Sequence, residues 1–259
     1  MPCVIVFPKV GPGEDIRLSA STFVAYRECA DYAKSRLEGV WGPESVPAFK
    51  GGLAHHVFAR HLSDGPISAD RLAQVCREEI GGSNLNFKMA ALSMKPSGLD
   101  RVIDEVGALY DRFRRFPTEG FQGAEIRIQV EPAEGVTLVG SIDAVFSDDG
   151  GGVRLTDWKT GELGEVREQL HFYALLWALD KGEVPTKVEA VSVRTGERLI
   201  EEPDVASLTL TARQVADVVS ALRAAWAEQR GIERRGGPWC RYCGLLEGCT
   251  EGRAATAIL

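Results

Sequence analysis

Two strand-like runs with a helix behind them constrain this chain more than any other stretch. Val136 to Phe146 reads Val-Thr-Leu-Val-Gly-Ser-Ile-Asp-Ala-Val-Phe, and Gly152 to Gly161 reads Gly-Val-Arg-Leu-Thr-Asp-Trp-Lys-Thr-Gly. Alternating β-branched residues on either side of a polar, glycine-rich turn at Ser147 to Gly151 predict a β-hairpin. Glu168 to Leu179 then reads as a helix, with Gly182 as its C-terminal stop.

Residues two apart on a strand share a face, so Asp157 and Lys159 project together. Pairing of the two runs would set Asp143 alongside Asp157. Two carboxylates sharing a hard divalent cation, with a lysine beside them, form a phosphodiester-cleaving constellation. Asp-x-Lys alone is more often a surface ion pair, so the surrounding residues decide. Gln169 and Tyr173, four apart, lie on one face of the following helix.

Around this centre the first half of the chain reads as helical. Residues 1 to 17 form an extended lead-in, and a helix capped by Ser19 or Ser21 runs to about Leu37. A Pro/Gly-rich connection spans Gly39 to Pro47. Further helices cover Gly51 to Leu62, Ser68 to Glu79, and Asn86 to Phe116 with an interruption near Lys95 to Gly98. From Ala124 the period becomes two: Ile126, Ile128 and Val130 share one face, and Glu125, Arg127 and Gln129 the other. Lys187 to Arg194 is another strand. Thr211-Ala-Arg-Gln214 has capping-box spacing, ahead of a core-facing stripe of Val215, Val218, Val219, Leu222, Ala225 and Trp226.

Composition excludes more than it selects. With 259 residues, 44% hydrophobic and 26% charged, the chain can bury a substantial core. No apolar run approaches the ~20 residues of a membrane span, and the start lacks a signal-peptide layout, so a cytoplasmic protein is expected. No phosphate-binding Gly-x₄-Gly-Lys loop is present, and any ATP-driven motor would be a separate protein. The net charge of −7 does not advertise nucleic-acid binding. Local arginine clusters at Arg112, Arg114 and Arg115, and at Arg230, Arg234, Arg235 and Arg241, could track phosphates or simply be solvated. Of six cysteines, Cys3, Cys29 and Cys76 are scattered, whereas Cys240, Cys243 and Cys249 fall within ten residues. That spacing lets sulfurs converge on a metal.

Gly140-x-x-Asp143, Asp157-x-Lys159-Thr160-Gly161 and Gln169-x-x-x-Tyr173 together resemble the PD-(D/E)XK nucleases of the RecB type. The family's first motif is a glycine followed four residues later by a histidine. Gly51 to His55 and Gly52 to His56 both fit; His55 is preferred because Leu53, Ala54, Val57 and Phe58 then fall as in the family pattern. His56, His61 and His171 are left as structural or surface residues. The resemblance spans about Ser19 to Cys249. It implies an α/β (α+β) fold with a restriction-endonuclease-like core: a mixed central sheet flanked by helices. The N-terminal helical part would cover 1–123, the nuclease core 124–208 and the C-terminal helix and cysteine segment 209–259, all in one compact unit.

The resemblance further implies that Asp143, Asp157, His55 and the Trp158 carbonyl hold Mg²⁺ or Mn²⁺. Lys159 would orient the attacking water, Gln169 and Tyr173 would position the site or the DNA backbone, and Glu125 could join from its own strand. In the iron–sulfur members one cysteine precedes the core and three follow it. This implies a 4Fe-4S cluster on Cys29, Cys240, Cys243 and Cys249, with zinc as the alternative; where the family has a proline after the first cysteine, this chain has Ala30. The layout looks most like the CRISPR-associated RecB-like exonucleases and the AddB-type nuclease domains. The implied function is a metal-dependent DNA exonuclease acting on single strands or ends, with a helicase, recombinase or CRISPR-adaptation partner. The alternative is a non-cleaving DNA-binding or adaptor subunit.

Overall fold

The computed structural model describes residues 5–148 and 150–258; Cys3, the start of the lead-in and Asp149 of the hairpin turn lie outside the described residues. In chain order, β1 (Ile16–Ser19) leads into α1 (Ala20–Glu28) and α2 (Ala30–Leu37). The helices α3 (Val46–Asp64), α4 (Ala69–Gly82), α5 (Leu85–Ala91) and α6 (Pro96–Phe113) follow. Then come β2 (Phe121–Ala133), β3 (Val136–Ser147) and β4 (Val153–Lys159), with α7 (Arg167–Lys181) crossing to β5 (Lys187–Ser192). β6 (Arg198–Glu201), α8 (Val205–Ala227) and α9 (Thr250–Thr256) complete the order.

The strands form one mixed sheet. β2 pairs antiparallel along β3, whose other side meets parallel β1 at its start and antiparallel β4 at its end. β4 and β5 run parallel, as a helical crossover requires, and β6 closes the edge antiparallel to β5. Helices cover both faces. Phe23, Leu170, Phe172, Leu176, Val215 and Val219 from α1, α7 and α8 pack on one face with Leu138, Ile142 and Leu155. Phe49, Phe58, Val106 and Phe113 from α3 and α6 pack on the other with Ala144, Phe146 and Trp158. Ile126, Ile128 and Val130 all reach the first of these cores, as their alternation requires. Among the described residues, no helix is long and apolar enough to cross a membrane.

Four local readings differ from the sequence expectation. The single helix expected from Ser19 to Leu37 is two, because Cys29 leaves the helix with extended backbone (φ −157°, ψ 117°). Ser19 is its N-cap, accepting from the Thr22 N–H at 3.2 Å. α3 starts earlier than expected: Ser45 caps it and Pro47 occupies its first turn, where proline's missing N–H costs nothing. α8 begins at Val205 rather than after Thr211, because Asp204 and Ser207 form the reciprocal box; Thr211 lies mid-helix and donates back to the Ser207 carbonyl. The short strands β1 and β6 carry too few residues for a readable alternation.

One distortion sits beside the motifs. β2 passes from the pair Ala124–Ala144 to the pair Ile126–Ile142, and between them Glu125 has φ +51°. A non-glycine residue there costs on the order of 1 kcal/mol. Along β3, Ile142 packs into the first core while Ala144 packs into the second, so the strict face alternation breaks at Asp143.

Candidate active site and cysteine centre

Three elements bring the motif residues together. The β3–β4 ladder ends at Ala144–Thr156, and the next step along it sets Asp143 beside β4's last residues. The Trp158 N–H donates to Asp143 Oδ2 at 2.7 Å, and His55 Nδ1 from α3 lies 3.2 Å from Asp143 Oδ1. Lys159 Nζ lies 2.8 Å from Asp157 Oδ2 and donates to Gln169 Oε1 at 2.8 Å. Gln169 Nε2 in turn is within 3.3 Å of Asp157 Oδ1 and 3.0 Å of the Tyr173 hydroxyl. One amide side chain therefore fixes acid, lysine and phenol at once.

Glycine at 140 makes this packing possible. A Cβ there would meet Leu176 Cδ2 at 2.8 Å and the Tyr173 ring at 3.2 Å, so a side chain at this position would force Leu176 to shift and crowd Tyr173 where α7 lies against β3. Gly51 lacks such a constraint: its added Cβ would meet Thr160 Oγ1 at 3.4 Å, an ordinary contact.

Electrostatics follow from crowding charges in a confined space. Burial opposes charge on His55, but Asp143, Asp157 and Glu125 outweigh it and raise the imidazole to about 9. Burial, reinforced by Asp143, pushes Asp157 up to about 6 against the pull of Lys159 and His55. Burial and the same two carboxylates hold the Tyr173 hydroxyl well above its usual range. Ligand atoms of His55, Glu125 and Asp143 lie within 4.8 Å of one another, a spacing that suits one cation. The two Asp157 oxygens face Lys159 and Gln169 instead.

The groove over this centre is lined by residues that motif spacing does not reveal. Ser141 donates to Glu125 Oε2 at 3.0 Å, and Asn84 and Lys88 come from the motif-free helices. Ser19 and Ser21 at the start of α1 line it as well, as does His56, whose Nδ1 is 3.2 Å from Glu79. His61 is buried against the Tyr110 hydroxyl, and His171 lies beside Glu201. Five of the seven clustered arginines are engaged elsewhere: Arg112 with the Arg194 carbonyl, Arg114 with Asp111, Arg230 with Glu228, Arg234 with Asp31 and Arg235 with Glu233.

The profile of the PD-(D/E)XK nuclease superfamily matches residues 17–250. The chain belongs to that superfamily. No curated protein matches the sequence. Among solved structures, a Eubacterium rectale protein provisionally named an exonuclease superposes with a TM-score of 0.54 at 14% identity. The alignment covers 84% of each chain. SSO0001 aligns with a TM-score of 0.36 at 16% identity, over 78% of this chain and 98% of that one. At such identity the first likeness is one of fold.

This nuclease also brings four of its cysteines together. Cys29, Cys240, Cys243 and Cys249 line one enclosed cavity with Tyr32, Trp239, Leu245 and Leu246. The break between α1 and α2 turns Cys29 toward the C-terminal segment, where its Sγ accepts the Arg235 N–H at 3.5 Å. Cys240 and Cys249 accept backbone N–H groups from Gly237 at 3.4 Å and Gly252 at 3.3 Å. Backbone amides are thus directed at three of the four sulfurs, while burial raises the Cys243 thiol. Cys76 is fully buried in the helical core, and burial raises its thiol to about 11, which makes it inert.

Proposed function

We propose that this nuclease is a divalent-metal-dependent exonuclease that hydrolyses phosphodiester bonds in single-stranded DNA or at DNA ends. The convergence of His55, Asp143, Asp157 and Lys159 from a helix and two strands, with each linked to another within 3.2 Å, supports this reading. His55, Asp143 and Glu125 would hold Mg²⁺ or Mn²⁺; Asp157, whose oxygens face Lys159 and Gln169, would have to turn toward the ion to join them with the Trp158 carbonyl. When bound, such an ion supplies Lewis-acid polarisation of a phosphoryl oxygen and a lowered pKa for water.

The remaining work belongs to the chain. Lys159, held between Asp157 and Gln169, presents its ammonium to the attacking water and to the charge that develops on the phosphate. Gln169 and Tyr173 hold that lysine and Asp157 in register, so little reorganisation remains when the substrate arrives.

The four cysteines, which line one cavity, would hold a 4Fe-4S cluster, with zinc as the alternative. The role in this reading is structural: the cluster ties the residues after α1 to the end of the chain.

Anaerobically purified protein and its Lys159→Ala variant, incubated in Mn²⁺ with end-labelled single-stranded and duplex DNA, test the assignment. Progressive shortening by wild type alone is expected. DNA retention without cleavage by wild type would overturn it in favour of a binding subunit.

A further inference from the structure

A second concavity of about 680 Å³ adjoins the active-site groove, and Ser19 lines both. Its walls include Arg17, Arg36, Trp41 and Trp226. Trp41 is 62% exposed, yet it is held firmly. The Arg36 guanidinium lies 5.0 Å from its ring centre and 5.6 Å from that of Tyr32, while both Arg36 terminal nitrogens donate to Ser21. The Arg36 Nε is buried without a partner. On the other side the loop rests on the cysteine segment. A Cβ on Gly42 would fall 1.9 Å from the Tyr242 carbonyl oxygen, and one on Gly244 would fall 2.7 Å from that of Trp41. An indole both exposed and pre-positioned is an aromatic platform rather than a stray surface residue.

We propose that Trp41 is a base-stacking subsite for the unpaired strand of the DNA substrate, next to the active site along the groove past Ser19. The inference rests on the nuclease reading above and deepens it by naming single-stranded DNA as the preferred form. A base that is free to leave the duplex stacks on Trp41, whereas a paired base cannot enter the concavity. Phosphates on either side meet Arg17 and Arg36 and the serine-lined start of α1, where no acidic side chain occupies the first turn. Glu14 and Asp15 also line the concavity, at the end it shares with Arg223, and they keep that end from being a phosphate site. Because the Trp41 loop sits on the backbone of Tyr242 and Gly244, the cysteine segment sets the height of the platform.

The test measures binding of a fluorescein-labelled oligothymidylate, and of a duplex of equal length, to full-length Lys159→Ala protein. It then repeats both with Trp41→Ala, Trp41→Leu and Trp41→Phe added. Loss of one base–aromatic stack is expected to weaken single-strand binding roughly ten-fold for Ala and Leu. Phe should restore it and duplex binding should hold. In the cleavage-competent protein the same loss should fall on KM rather than kcat. Leu keeps the apolar bulk without the aromatic face, so it separates stacking from a folding defect. Undiminished single-strand binding by Ala and Leu would overturn the subsite, mark Trp41 as a protein-docking residue and leave a cleaving wild type as a nuclease. An equal loss on single strand and duplex would also overturn it. A wild type that neither cleaves nor binds DNA would instead sink the nuclease reading, and this inference with it.

Discussion

The backbone N–H of Trp158 donates to the Asp143 carboxylate at 2.7 Å, joining two motifs that stand 15 residues apart in sequence. One oxygen of Asp143 is thereby committed to the fold, and the other faces His55. Asp143→Asn retains an acceptor for Trp158 and should fold, but its loss of charge should weaken Mn²⁺ binding and lower kcat by about 10²- to 10³-fold. Asp143→Ala should also lower thermal stability, because it leaves that N–H unsatisfied at a cost of about 1–3 kcal/mol. Calorimetric Mn²⁺ titration and a thermal melt of both variants separate the two effects.

Gln169 contacts Lys159, Asp157 and Tyr173, whereas Tyr173 contacts Gln169 alone in this network. Gln169→Ala should therefore reduce kcat by roughly 10²-fold through misplacement of Lys159, and Tyr173→Phe by clearly less. A ranking with Tyr173→Phe the more severe would show that the hydroxyl acts on the substrate instead.

Metal affinity should depend on pH through His55. With no metal bound, His55 is protonated below about 9, and only the neutral imidazole ligates a cation. Binding of Mn²⁺ near neutral pH should release close to one proton, and affinity should strengthen as pH rises toward 9 and then level off. Metal-free stability should move oppositely. A raised histidine pKa stabilises the fold fully below the unfolded value of 6.5, and the contribution is lost as pH rises through about 9. Titrations in buffers of different ionisation enthalpy count the proton, and His55→Gln should abolish it.

Gly140→Ala should destabilise the protein by about 1–3 kcal/mol, since its Cβ overlaps Leu176 and crowds Tyr173. Denaturant melts should show partial recovery in the Gly140→Ala, Leu176→Ala double variant, where the overlapping atom is gone.

If the four cysteines hold the proposed 4Fe-4S cluster, Cys29→Ser should strip its visible absorbance and lower the melting temperature, while Lys159→Ala keeps both. Retained colour with four cysteines reduced to three would place the fourth ligand elsewhere.

Much of this was legible in one dimension because it depends on local periodicity. Alternation placed Asp157 and Lys159 on one face of β4, and a spacing of four put Gln169 under Tyr173 on α7. The capping errors were also local in origin: Thr211 carries the right spacing, but Asp204 with Ser207 offers the stronger reciprocal pair seven residues earlier. Spacing within a regular element is fixed by backbone geometry, so the sequence alone determined which side chains share a face in β4 and α7, though not across the break at Asp143 in β3.

The tertiary structure decided which faces meet. Glu125 reaches Asp143 and His55 from a left-handed residue of β2, and Asn84 and Lys88 line the groove where α5 packs against α3. Neither event leaves a periodic trace, since each depends on contacts between segments far apart in the chain. The same holds for Cys29 and Trp41. The cysteine's place beside the C-terminal sulfurs and the tryptophan's seat on Tyr242 and Gly244 arise where two distant backbones close on one another, a contact that no local pattern encodes.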